Sequence, residues 1–171
     1  MRKEIRRGMD AHLSLITPAD ARSVIDLFNH YAMHSFAAFP ENPLPHAFFD
    51  RFLEMARGLP TVAAKDAEGR LRGFALLRPH IPWPTSSYVA EIAYFVAPDS
   101  TGQGIGTKML ADLETQAKTH GIKTILASIA SLNEMSLAFH RKHGFAEVGR
   151  FRNVVIKRGT PFDTVWMQKD L

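Results

Sequence analysis

Hydrophobic residues follow two rhythms along the chain. Ala21, Val24, Ile25, Leu27 and Phe28 recur at helical spacing, so the segment they span packs one face on a core. Thr17 stands before it as N-cap, and Pro18 takes the first helical position. Ile105, Met109, Leu110, Leu113 and Ala117 repeat the spacing in a later helix that stops at Gly121. Shorter apolar runs predict strands at 13–16, 61–65, 71–79, 88–98 and 124–130, with AEVGRF (146–151) and DTVWMQ (163–168) as a closing pair. DAEG at 66–69 is a turn between two of these runs and makes them an antiparallel hairpin. Prolines break 34–49 into a loop ahead of a helix from about Ala47 to Arg57, and 80–86 into another loop. A last short helix lies within LNEMSLAFHRKHGF (132–145), with Gly144 suited to its C′ position.

The predicted order is β-α-α-β-β-β-α-β-α-β-β. Strands cluster before the glycines at 102–106 and alternate with helices after them. That implies one α/β domain with a mixed, mostly antiparallel sheet flanked by helices, and not a doubly wound Rossmann fold. The run at 88–98 is apolar almost throughout, which suits a central strand.

Composition narrows the chemistry. The 171 residues include no cysteine, which removes disulfides, thiolate metal sites and a cysteine nucleophile. Net charge is +4, and part of the excess sits in MRKEIRR, so residues 1–10 read as a solvated tail and 11–171 as the domain. No apolar run reaches the eighteen or so residues of a membrane span, and no secretory signal follows the basic start. A cytoplasmic protein without membrane or nucleic-acid partners is expected, because lysines and arginines are scattered rather than interleaved with aromatics. The eight histidines show no metal-ligand spacing with acids, so no metal is expected.

The candidate site is the hexad Thr101-Gly102-Gln103-Gly104-Ile105-Gly106, set between a strand and a helix. Glycines let a ligand approach the main chain, and a helix start offers unpaired N–H groups and the positive end of its dipole. Phosphate is the natural occupant; a ligand-free tight turn is the plainer alternative. A Walker A loop needs Gly-Lys followed by Ser or Thr, whereas here Gly106-Thr107-Lys108-Met109 follows. A Rossmann fingerprint needs an acid about twenty residues on, where this chain has Thr124-Ile125-Leu126.

The hexad resembles the pyrophosphate loop of the GNAT superfamily of N-acetyltransferases, and NEMSLAFHRKHGF (133–145) resembles that superfamily's motif B. Together with NHYAMHSFAAF (29–39), YVAEIAYFVAP (88–98) and GRFRNVVIKRG (149–159), these motifs are similar to the phosphinothricin acetyltransferase-like family over nearly the whole chain. Departures are Thr101 for the usual arginine or glutamine, Val155 for glycine, and Arg158 with TPF (160–162) where that family favours aromatics in a substrate-side loop.

The resemblance implies acetyl-CoA as co-substrate, held by Tyr94, Phe95, Val96, Gly102, Gln103, Gly104, Ile105, Gly106, Thr107 and Asn133. It implies transfer of acetyl to the amine of a small amino-acid-like substrate, of phosphinothricin or methionine sulfoximine type, and a possible homodimer. Asn133 would touch the pantetheine arm, although an ordinary N-cap explains it equally well. A protein N-terminus or lysine as acceptor, or a non-catalytic acyl-CoA-binding module, are the alternatives.

Acetyl transfer needs a neutral amine, a stabilised oxyanion and a leaving thiolate that is protonated or tolerated. Glu91 is the only charged residue between Tyr88 and Val96, and burial in an apolar strand would raise its pKa and suit it to take the amine's proton, directly or through water; an edge or outward-facing glutamate in a salt bridge is the plainer alternative. A main-chain N–H near Phe95 or Val96 would meet the oxyanion, if this strand splays from its neighbour. His140 stands where many relatives place a tyrosine, to protonate the thiolate or simply to hydrogen-bond. Lys108, Arg141 and Lys142 are candidates for the adenosine 3′-phosphate. Phe36, Phe39, Trp83 and Tyr88 are candidate walls of the substrate pocket.

Overall fold

The computed structural model describes residues 10–171; residues 1–9, most of the segment read as a solvated tail, lie outside the described residues. Its elements are β1 (His12–Ser14), α1 (Ala21–His34), α2 (Phe49–Ala56), β2 (Thr61–Lys65), β3 (Leu71–Pro79), β4 (Val89–Val96), α3 (Ile105–Thr119), β5 (Thr124–Ala130), α4 (Glu134–Lys142), β6 (Ala146–Lys157) and β7 (Thr160–Asp170). The order is the predicted one. The strands form a single seven-stranded sheet, β1-β2-β3-β4-β5-β7-β6, antiparallel everywhere except between β4 and β5.

Alternation along the strands divides the interior in two. Ala90 and Ile92 join Ile105, Met109, Leu113 and Leu137 beneath α3 and α4. Phe74 and Leu76 join Val24, Ile25, Phe49 and Phe52 beneath α1 and α2, and Phe95 packs against them. Gly73 lets α3 sit close on β3, since a Cβ there would meet Met109 Cε and the Phe95 carbonyl oxygen at 3.0 Å. Ahead of α1, the Asp20 carboxylate accepts from the Thr17 N–H (2.9 Å) and Oγ1 (3.0 Å), and a 3-10 turn over Pro18–Asp20 leads into the helix. No helix among the described residues is long and apolar enough to cross a membrane.

The junction of β4 and β5 shapes everything that follows. They pair only at Val89, Ala90 and Glu91, opposite Thr124, Ile125 and Leu126. Beyond Glu91, β4 keeps its antiparallel partner β3 as far as Val96 and has none on the other side. The Ala97 N–H donates to the Arg72 carbonyl at 2.7 Å, so odd-numbered residues turn their main chain to β3. Tyr94 and Val96 therefore turn theirs into the gap.

The closing strands run further than their sequence predicts. Arg158 and TPF (160–162), expected in a substrate-side loop, instead form the tip of the β6–β7 hairpin and the start of β7, the turn closed by Arg158 (φ 51°) and Gly159 (φ 73°) in the left-handed pair a two-residue turn demands. The lengthening was hidden because β6 is an exposed edge strand, interrupted by two register shifts that blur its alternation. Its tip is bolted to α1. Lys157, fully buried, donates through Nζ to the carbonyls of Ser35 (2.7 Å) and Ala38 (2.6 Å). Arg158 reaches the Ala32 and Met33 carbonyls with its guanidinium, and its N–H donates to Glu41 Oε1 at 2.6 Å. Burial pushes the Lys157 ammonium below its ordinary pKa, and neighbouring Arg158 adds to this.

Candidate active site

A cleft of about 620 Å³ opens where β4 leaves β5. Its floor is Tyr94, Phe95 and Val96; one end is the 100–107 turn with the start of α3; the far wall is Leu132, Asn133, Met135, Ser136 and Phe139. Gly102 (φ 73°) and Gly104 (φ 85°) are left-handed, so glycine is required here by backbone conformation rather than by crowding. The loop then delivers α3 with Gly104 as N-cap, which has no side chain to satisfy the first N–H groups. Gly106 serves packing instead: a Cβ there would lie 3.4 Å from the Phe139 ring. The unpaired amides of Ile105, Gly106 and Thr107 at a helix's positive end make an anion seat. Lys142 adds a cation to the lining.

A second space of about 100 Å³ lies in the gap itself, lined by Ala93, Tyr94, Phe95, Ala127, Ser128, Asn133 and His140. It carries the cleft through the sheet toward the α1–α2 face. Tyr94 spans the two. Its hydroxyl donates to His140 Nε2 at 2.8 Å, and His140 Nδ1 donates to the Ser136 carbonyl at 2.7 Å. A carbonyl can only accept, which fixes this tautomer. His140 is 3% exposed, and burial pushes its pKa down to about 4, against the opposing pull of the Ser136 carbonyl; the ring is neutral at physiological pH. Burial likewise raises the Tyr94 phenol far above its ordinary range.

Glu91 marks the apex of the splay on the opposite face. It is 8% exposed, and each of its oxygens has a partner. Oε2 accepts from Arg78 Nε at 3.1 Å and from Nη2 at 2.5 Å, while Oε1 accepts from His80 Nδ1 at 2.7 Å. The His80 ring meets Trp166 of β7 edge-to-face at 5.6 Å, so it bridges the apex from one half of the sheet to the other.

The Acetyltransferase (GNAT) family profile matches residues 25–145. The chain belongs to the GNAT acetyltransferase family. The L-methionine sulfoximine/L-methionine sulfone acetyltransferase of Pseudomonas paraeruginosa is 29% identical over 157 residues, 90% of each chain. Among solved structures, a GNAT superfamily phosphinothricin acetyltransferase from Sinorhizobium meliloti in complex with AcCoA superposes with a TM-score of 0.89 at 28% identity, covering 95% of this chain and 89% of that one. A ribosomal-protein-alanine N-acetyltransferase from Brucella melitensis gives 0.87 at 29% identity, covering 94% and 99%.

Within the acetyltransferase, the residues singled out in the sequence separate. Tyr94, Phe95, Val96, Gly102, Gly104, Ile105, Gly106, Thr107, Asn133 and Phe36 line the large cleft, and His140 lines the gap. Asn133 caps α4, its Oδ1 accepting from the Ser136 N–H at 3.2 Å, while its Nδ2 makes no hydrogen bond among the described residues. The main chain of Phe95 pairs with Phe74, which leaves Val96 as the donor facing the gap. Gln103 turns back to the Asp99 carbonyl at 2.9 Å, and Thr101 to the Pro98 carbonyl at 3.0 Å. Trp83 (69% exposed) and Tyr88 (48%) stand outside both spaces; Phe39 packs on Phe162 at 5.9 Å without lining either. Lys108 lies 3.6 Å from Asp10, and Arg141 lies 3.7 Å from Glu147. No cluster of metal-ligating side chains occurs among the described residues.

Three contributors escaped the sequence. Tyr31 lines the cleft and donates to the Val96 carbonyl at 2.6 Å, and Arg78 and His80 embrace Glu91. Tyr31 sat among core-like aromatics on α1. Arg78 and His80 alternate around Pro79, a hint that they share a face, but only the register Arg78↔Glu91 shows what they meet.

Proposed function

We propose that this acetyltransferase moves the acetyl group of acetyl-CoA onto the primary amine of a small amino-acid-like substrate, of the phosphinothricin or methionine sulfoximine type. One observation carries the reading: the cleft with its anion seat continues into the gap between β4 and β5, and that gap begins immediately after Glu91, the buried, partnered acid on the opposite face. The residues present fit acetyl-CoA. The amides of Ile105, Gly106 and Thr107, with Lys142, would hold its phosphates; Leu132, Met135 and Phe139 offer apolar surface to the arm; and the main chain of Tyr94 would pair with its amides. Bound there, acetyl-CoA supplies a thioester carbonyl open to attack and a thiolate able to leave.

The chain supplies the rest. The Val96 N–H, free of β3, meets the charge that grows on the acyl oxygen. Glu91, on the acceptor face, draws the proton from the incoming ammonium through its hydrogen-bonded shell. His140, neutral and closed in, acts through Tyr94 by fixing where that hydroxyl lies at the mouth of the gap. Phe36, held edge-to-face by Phe162 at 5.4 Å, limits the room for an acceptor.

The test is release of free thiol from acetyl-CoA with L-methionine sulfoximine, phosphinothricin and an alanine-terminated peptide, each beside Glu91→Gln. Turnover of the amino-acid analogues that falls at least about a hundredfold in Glu91→Gln is expected. Turnover of the peptide alone would move the acceptor to a protein terminus, in line with the Brucella melitensis relative's name. Binding of acetyl-CoA with no turnover of any amine would make the chain a non-catalytic acyl-CoA-binding module.

A further inference from the structure

Oε2 of Glu91 accepts twice from Arg78 and Oε1 accepts from His80, so three of the roughly four acceptor sites of this carboxylate are taken, on a side chain only 10% exposed. The geometry offers another route. A carboxylate oxygen can only accept, so the neutral His80 ring carries its proton on Nδ1, toward Glu91, and presents the Nε2 lone pair outward. Nε2 makes no hydrogen bond among the described residues and is not buried, whereas the His80 side chain as a whole is only 30% exposed. The ring is held rather than adrift: Glu91 accepts from its Nδ1 at 2.7 Å, and Trp166 meets it edge-to-face at 5.6 Å, beside the last β4–β5 pair at Glu91 where the gap begins.

We propose that His80 is the group that takes the acceptor amine's proton, with Glu91 as the carboxylate that orients it and stabilises its charged form. This rests on the acetyl-transfer reading and moves the proton's destination from the acid to its partner. Nε2 accepts one proton from the ammonium, directly or through a water, giving a neutral amine and an imidazolium between Glu91 and solvent. The amine's electron pair forms the C–N bond, the C–S bond breaks with its pair on sulfur, and the second N–H proton leaves to complete the thiol. His80 then returns its proton to solvent through the exposed Nε2. Arg78, which shares Glu91, keeps the carboxylate from rotating away. Charged groups on this side include Arg51, Glu54 and Arg57, which line a depression with Arg78, and Asp170, four residues along β7 on the face of Trp166.

The experiment pairs imidazole nitrogen spectroscopy with rate profiles on the full chain. Long-range proton–nitrogen correlation should show His80 as the Nδ1–H tautomer, and Glu91→Gln should mix or reverse that assignment. With L-methionine sulfoximine as acceptor, log kcat/KM of the wild type should fall below the titration of one imidazole. His80→Gln should lose about a hundredfold at neutral pH, keep its affinity for acetyl-CoA, and recover as pH rises and free amine accumulates. An Nε2–H tautomer overturns the proposal, as does a His80→Gln enzyme with the wild-type acidic limb and more than half its rate. If the wild type turns over no amine at all, the substrate reading fails while the tautomer measurement still decides on His80.

Discussion

Replacing Lys157 with Met tests whether the hairpin tip holds the acceptor-side wall in place. Methionine is similar in length and apolar, so volume is nearly kept and the loss is chiefly polar. The ammonium donates to the Ser35 and Ala38 carbonyls at 2.7 and 2.6 Å, from a side chain with no solvent exposure. Bonds from a charged donor contribute about 1.5–3 kcal/mol each, and a buried carbonyl stranded without one costs about 1–3 kcal/mol. Desolvation of the ammonium, visible in its lowered pKa, offsets part of this. A net loss of about 3 kcal/mol follows, which for a chain of this length lowers Tm by roughly 6–12 °C. Urea unfolding measures the loss directly, and the midpoint should fall with little change in slope. Ser35, Phe36 and Ala37 line the cleft, so KM for the amine should rise more than kcat falls. A variant within 1 kcal/mol of wild type and with unchanged KM refutes the reasoning, because it means desolvation cancels the bonds and the wall stands by itself.

Two further outcomes follow from named groups. The His140 ring is held neutral in the fold, with a pKa of about 4 against 6.5 in the unfolded chain. Between those values the unfolded chain binds the extra proton, so stability is complete above about pH 6.5 and declines as pH falls toward 4, by about 3 kcal/mol in all. Urea midpoints across pH should show the slope in wild type and lose most of it in His140→Asn. Gly104→Ala must hold a Cβ at φ 85°, which costs about 1 kcal/mol or moves the loop. Calorimetry should then show acetyl-CoA binding weakened about fivefold or more, with the rest of the fold unchanged.

The order of elements was legible because each helix and most strands carry a clean period, and α3 and β4 carry it most clearly. Glu91 was legible for a related reason: one charge in an otherwise apolar strand stands out against its surroundings. Its partners were not, because Arg78 and His80 become neighbours of Glu91 only through cross-strand register, and local sequence does not encode register. The upper β6–β7 hairpin escaped for the opposite reason. Its outward residues are mixed, with Val154 and Ile156 exposed beside Arg150 and Arg152, so no alternation announces it. Glycine count pointed correctly to the turn at 102–106 but concealed a division of labour, two glycines serving dihedral angle and Gly106 serving the Phe139 contact. Trp83 and Tyr88 show that an aromatic in a proline-rich loop need not face a pocket.

On the proposed reaction, the three-residue seam between β4 and β5 would give each reactant its own doorway. A nucleotide-bearing donor would enter from the α3–α4 side and the amine from the other, and they would meet in the breach without crossing paths. Traffic of that kind would make a relay through the enzyme's own side chains unnecessary: both partners could be present together, and the acyl group would never have to be parked on the protein.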